Sequence, residues 1–154
     1  MDISIQKSKL LNHQEIQITG SKSESNRLLL LKALYPEIKI ENLSNSDDSV
    51  LMQRALVSND NIIDIHHAGT AMRFLTAYLS IQNGKEVTIT GSSRMKERPI
   101  KILVDALRTL GADITYLDND GFPPLKIVGK KLTKNKVSLN ANVSSQYISA
   151  LQQN

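Results

Sequence analysis

Gly69-Thr70-Ala71-Met72-Arg73-Phe74-Leu75-Thr76-Ala77-Tyr78-Leu79-Ser80-Ile81, followed by Glu86-Val87-Thr88-Ile89-Thr90, is a helix signal followed by a strand signal, and the same order recurs on either side. Downstream, Pro99 to Leu110 reads as a helix with Pro99 at its first position and Gly111 ending it. Upstream, a helix from about Ser23 to Tyr35 stops at Pro36, and a second starts at Asn45-Ser46-Asp47-Asp48 with the apolar stripe Val50, Leu51, Ala55, Leu56. Strands are predicted at Asp2 to Gln6, Glu15 to Thr19, Ile38 to Ile40, Asn61 to Ile65, Asp113 to Leu117, Leu125 to Val128 and Val137 to Leu139. Ser144-Ser145 caps a last helix containing Tyr147, Ile148 and Leu151. This alternation predicts an α/β or α+β layered domain, and the strand pairs closing each pass favour a mixed sheet over a purely parallel one.

The 154 residues suffice for one sizeable core, and 40% hydrophobic with 22% charged residues is ordinary for a globular chain. With no cysteine, disulfides, thiolate ligands and cysteine catalysis are excluded. No apolar run is long enough to span a bilayer, and Met1-Asp2-Ile3-Ser4-Ile5 lacks a signal-peptide layout, so the default expectation is cytoplasmic. A net charge of +4 suits anionic partners. Few aromatics and dispersed Lys and Arg residues argue against nucleic acid.

The helix starts carry the chemistry, because unpaired backbone N–H groups and the helix dipole favour an anion there. Lys22 sits in Gly20-Ser21-Lys22-Ser23-Glu24-Ser25-Asn26-Arg27, which lacks the spacing of a nucleotide-binding glycine loop. A Ser21 N-cap with Glu24 closing a capping box explains two of these residues without a ligand and leaves Lys22 and Arg27 unexplained. Ala68-Gly69-Thr70 opens a helix with no side chain at Gly69 to block the backbone. Pro99 pushes Arg98 into an extended conformation near the next helix's positive end. Arg73, one turn into its helix, either joins these cations or pairs with a local carboxylate. Ser144-Ser145-Gln146 opens the last helix. Together these starts suit a small polyanionic metabolite. Asp47-Asp48 reads as dipole and cap chemistry rather than a metal site. His66-His67, on opposite faces of a strand, cannot easily share one ion, so no metal is expected.

Four blocks then coincide with one family. Gly20-Ser21-Lys22-Ser23-x-Ser25-Asn26-Arg27, Ala68-Gly69-Thr70-Ala71-Met72-Arg73, Arg94-Met95-Lys96-Glu97-Arg98-Pro99-Ile100 with Leu103-Val104-Asp105-Ala106-Leu107-Arg108, and Ser144-Ser145-Gln146-Tyr147 resemble the 5-enolpyruvylshikimate-3-phosphate (EPSP) synthases. The resemblance covers nearly the whole chain and matches the amino-terminal part of an enzyme more than twice as long. It implies transfer of an enolpyruvyl group from phosphoenolpyruvate to the 5-hydroxyl of shikimate 3-phosphate, in the route to aromatic amino acids, without metal or organic cofactor. The residues it implies for shikimate 3-phosphate are Lys22, Ser23, Arg27, Ser144, Ser145 and Gln146. Those for phosphoenolpyruvate are Lys22, Gly69, Thr70, Arg98 and Gln146, with Lys22 and Gln146 acting by electrostatics and positioning.

The family fold that the resemblance implies is two lobes of repeated β-α-β-α-β-β units with mixed sheets around buried helices. Residues 1–19 would then be strands associated with the second lobe, and residues 20–154 a partial substrate-binding lobe of about two repeats and the start of a third. The acid/base groups of the second lobe have no counterpart here, so the expectation is an amino-terminal fragment, inactive alone, of an enzyme that is a monomer when complete. The rival is a non-catalytic anion-binding or interaction module on the same scaffold. Sugar-nucleotide enolpyruvyl transferases fit less well, having a different loop and commonly a cysteine. Two departures stand out: His67 replaces an Asn before Ala-Gly-Thr, and the Leu56 to His67 connection is short, as if the first repeat had lost strands.

Overall fold

Small residues alternate with bulky apolar ones along Gly69–Ser80, so this helix can be packed on every side. The computed structural model, which describes residues 3–4, 7–9, 12–139 and 144–152, buries nine of its twelve residues. Its buried hydroxyls bond within the helix, Thr76 donating to the Met72 carbonyl and Ser80 to that of Thr76, each at 2.7 Å. Neither of these two hydroxyls is therefore left unpaired in the core.

In chain order the elements are α1 (Lys22–Leu34), α2 (Asp47–Val57), β1 (Ile62–Asp64), α3 (Gly69–Ser80), β2 (Glu86–Thr90), α4 (Ser93–Lys96), α5 (Lys101–Leu110), β3 (Asp113–Tyr116), β4 (Leu125–Val128) and α6 (Ser145–Leu151). Helix α3 packs against α1, α2, α5, α6, β2 and β4. The sheet is mixed, in the order β1-β2-β4-β3, with β1 parallel to β2 and β4 antiparallel to both its neighbours. Register pairs Ile63 with Ile89, Ile89 with Leu125, Val87 with Ile127, and Ile114 with Ile127. All six are buried, so one face of the sheet supplies the core under α3.

The run β1-α3-β2-α5-β3-β4 is one complete β-α-β-α-β-β unit, interrupted only by the short α4. Three strands that the sequence predicts are corrected by the structure. Glu15 to Thr19, Ile38 to Ile40 and Val137 to Leu139 form no strand. A strand needs a partner as well as a pattern. Ile16 and Ile18 stay 83% and 74% exposed, whereas Ile40 and Leu139 rest on the core as loop residues. Most of the predicted strand Asp2 to Gln6 lies outside the described residues.

The helix after Pro99 also starts later than its proline suggests. Ile100, at φ −131° and outside the helical range, is the N-cap residue and Lys101 the first helical one, and the Ile100 N–H bonds the Gly121 carbonyl at 2.8 Å. Its other end behaves as expected: Gly111 takes φ 110°, a left-handed conformation that a side chain resists, and closes the helix. Helix α4, capped by the Ser92 hydroxyl, is absent from the sequence reading, although Ser92-Ser93 is an ordinary cap signal.

Leu75 is fully buried, so Leu75→Ala should cost about 2–5 kcal/mol, read as a lower denaturant midpoint at unchanged slope. A second prediction concerns Tyr116, whose buried hydroxyl has no hydrogen-bond partner among the described residues. Burial pushes its pKa up to about 12, against a smaller opposing pull from Arg108, whose guanidinium lies 4.9 Å from the ring centroid. The folded state thus resists ionisation that the unfolded chain accepts at about 10. Tyr116's contribution to stability should be complete below pH 10 and lost as the pH rises towards 12, and phenolate absorbance should follow the same window.

Candidate functional site

The amino terminus of α3 is where the cations gather. Gly69 is buried, and a Cβ there would stand 2.5 Å from Arg98 Nη1 and 3.5 Å from Arg73 Nη1. Only glycine lets both guanidinium groups come this close to the backbone. Neither arginine meets a carboxylate among the described residues, which settles the alternatives for Arg73: it joins the cluster. Arg98 arrives from the segment after α4, where its own N–H bonds the Met95 carbonyl at 3.0 Å.

Helix α6 closes the cluster from the other side. Arg73 Nη1 donates to Gly69 O at 3.2 Å and to Gln146 Oε1 at 2.8 Å. Gln146 Nε2 in turn donates to Thr70 Oγ1 at 3.3 Å. The Arg73 guanidinium lies 5.4 Å from the centroid of the Tyr147 ring, and the Tyr147 hydroxyl donates to Pro99 O at 3.1 Å. Gly69, Thr70, Arg98 and Gln146, picked out singly from the sequence, thus share one connected surface. The Ser144 hydroxyl accepts from the Gln146 N–H at 3.3 Å, and Ser145 beside it is exposed.

Helix α1 contributes the second half. Ser21 caps it, accepting from the Glu24 N–H at 3.5 Å. Arg27 Nη1 donates to Ser23 Oγ at 2.6 Å and to Ser23 O at 3.0 Å. The same guanidinium reaches α6 at Ser149 Oγ, 3.5 Å away, and lies 5.7 Å from the Phe74 ring centroid on α3. Lys22, half exposed, pairs with Asp48 at 3.8 Å. The roles of Ser149 towards Arg27 and of Tyr147 towards Arg73 and Pro99 leave no local pattern in the sequence, since each joins residues far apart in the chain.

The histidines correct a sequence argument. They lie in a turn after β1, not within a strand, because His66 takes φ 48°. Their Nδ1 atoms meet at 2.8 Å instead of facing apart. His67 Nε2 lies 3.8 Å from Asp47 Oδ2, so the first turn of α2 touches both Lys22 and the residue two before Gly69. No group of three or more potential metal ligands occurs among the described residues. A cavity of about 430 Å³ lies elsewhere, lined by Leu29, Pro36, Ile40, Leu43, Leu56 and Tyr78. Its apolar wall has no cluster of cations, so the charged groove at α3 is the better candidate for an anion.

Residues 51–152 match the family model of EPSP synthase (3-phosphoshikimate 1-carboxyvinyltransferase). The chain belongs to the EPSP synthase family. A 3-phosphoshikimate 1-carboxyvinyltransferase of Bacteroides fragilis is 56% identical over 137 residues, covering 88% of this chain and 33% of the relative. One from Photobacterium profundum is 42% identical over 163 residues, covering 88% and 38%. The longer alignment at equal coverage means that the Photobacterium relative carries extra residues within the matched segment. A solved structure of EPSP synthase from Acinetobacter baumannii superposes with a TM-score of 0.74 at 21% identity, over 88% of this chain and 36% of that one, which establishes the shared fold. The chain spans about a third of the length of these EPSP synthases.

Gly69→Ala tests the geometry directly. The new methyl would displace the end of a flexible, exposed arginine and leave the backbone in place. Stability should change by about 1 kcal/mol or less in thermal unfolding, while the guanidinium resonance of Arg98 shifts.

Proposed function

We propose that this chain is the amino-terminal part of an enzyme that transfers the enolpyruvyl group of phosphoenolpyruvate to the 5-hydroxyl of shikimate 3-phosphate, and that it supplies one wall of the cleft. The observation that carries this reading is the pair of guanidinium groups, Arg73 and Arg98, held at a side-chain-free helix start without a carboxylate partner among the described residues. Such a surface is built for a ligand with several negative groups. The non-catalytic module is not favoured, since the matched relatives are carboxyvinyltransferases.

In this reading Gly69, Thr70 and Arg98 receive phosphoenolpyruvate. Ser23 and Arg27 hold the shikimate part, and the hydroxyls of Ser144 and Ser145 take its phosphate. Lys22 and Gln146 serve both substrates. Ser23 Oγ already accepts from Arg27, so its own proton is free to donate to the ligand. The chain's contribution is positional and electrostatic: fixed cations offset the repulsion between two anionic reactants and hold them in line. Residues 1–19 belong with the second lobe and residues 20–154 with this partial lobe, in a cytoplasmic enzyme that is monomeric when complete. No helix among the described residues is long and apolar enough to cross a membrane.

Calorimetric titration with shikimate 3-phosphate tests the assignment. Lys22→Ala should weaken binding about tenfold or more, and an unchanged affinity would refute the role of Lys22. The chain alone should release no phosphate from phosphoenolpyruvate, because proton transfer is assigned to the other lobe; measurable turnover by the purified chain would contradict this.

A further inference from the structure

Gln146 carries an amide whose two ends are chemically opposite, and its use at an anion site depends on which end faces the ligand. A guanidinium has donors only, so the atom that Arg73 Nη1 approaches at 2.8 Å must be the carbonyl oxygen. That choice turns Nε2 towards Thr70 Oγ1, 3.3 Å away, at the helix start where Arg98 also lies. We propose that Arg73 is a positioning residue that locks the Gln146 amide with its N–H groups facing the anion site. The proposal rests on the substrate reading above only for what the amide then does.

Three further contacts make Arg73 suited to this task. Its Nη1 is tied to Gly69 O in its own helix, its guanidinium lies over Tyr147, the residue after Gln146, and the Tyr147 hydroxyl bonds Pro99 O. One side chain therefore ties α3 to α6 and, through Tyr147, to the segment that presents Arg98. A fourth observation separates positioning from stability. Arg73 Nε is buried without a partner among the described residues, an arrangement that destabilises the fold. Methionine would fill similar space without stranding a donor. Arginine at this place is costly for packing and useful for orientation.

The consequence is a division of labour between the two arginines. Arg98, exposed and without a side-chain partner among the described residues, is free to take the ligand. Arg73 is committed to Gly69 O and Gln146 Oε1 and acts through the glutamine. Without it the amide could rotate and present its oxygen to an anion, which is repulsive.

The test is NMR of the side-chain amide of Gln146 in the 154-residue chain, assigned by its loss in Gln146→Glu. The wild-type chain should show two dispersed amide protons with slowed exchange. In Arg73→Met they should collapse to the values of a free glutamine while the melting temperature is held or raised, and Arg73→Lys should restore most of the dispersion. Phosphoenolpyruvate titrated in the presence of shikimate 3-phosphate should bind about tenfold more weakly to Arg73→Met and to Gln146→Glu, with little further loss in the double variant. An unchanged Gln146 signature in Arg73→Met overturns the proposal, as does undiminished phosphoenolpyruvate affinity once the signature is lost. If Arg73→Met fails to fold, dispersion retained in Arg73→Leu, which has no side-chain donor, overturns it instead, and if neither variant folds, Arg73 is a structural residue and the proposal falls. Failure of the wild-type chain to bind either anion would count against the substrate reading, and the amide signature would still decide the Arg73 contact.

Discussion

Burial of α3 is the constraint on which the rest depends. A helix buried along nearly its whole length must be covered by neighbours, and here they are α1, α2, α5, α6 and the inner face of the sheet. Because it is buried, its first turn is fixed in space, and whatever borders that turn inherits the precision of the core. Gly69 at its start meets the Arg98 segment, Thr70 and Arg73 meet α6, and Phe74 meets α1 through Arg27. The site is thus a consequence of packing rather than an addition to it.

Electrostatics gives that geometry its meaning. Both Nη1 atoms lie within 3.5 Å of the point where a Gly69 Cβ would sit, so two like charges stand about 6 Å apart or less. Their repulsion amounts to about 1–3 kcal/mol at the dielectric of a protein surface, and no carboxylate among the described residues pairs with either group to cancel it. An arriving anion converts this penalty into attraction, and the strain is already present before it arrives. Lys22 differs, being balanced by Asp48, so it is held in place without being neutralised by a close contact.

The helices were legible because their punctuation is local. Ser21, Pro36, Gly111 and Ser144 each act on their own backbone, and the ends of α1, the close of α5 and the start of α6 fall close to where these residues place them. Strands β2, β3 and β4 were equally clear. Glu15 to Thr19 and Val137 to Leu139 carry a strand-like composition without a pairing partner, and no local pattern reveals a missing partner. The candidate residues were legible through helix starts and through the family blocks. Their convergence was not, since Arg73 to Gln146 and Arg27 to Ser149 are contacts between residues far apart in sequence. The histidine pair failed for a related reason: periodicity assumes a strand, and a left-handed His66 ends it.

The central claim is that Lys22 to Arg27, Gly69 to Arg73, Arg98 and Ser144 to Gln146 form one anion-binding wall. Backbone amide chemical-shift mapping of the chain, titrated first with shikimate 3-phosphate and then with phosphoenolpyruvate, tests it most directly. The account predicts that the first ligand moves the signals of α1's start and of Ser144 to Gln146, and that the second moves Gly69, Thr70 and Arg98. Shifts confined to the apolar cavity lined by Leu29, Leu43 and Tyr78, with the α3 terminus silent, would contradict it.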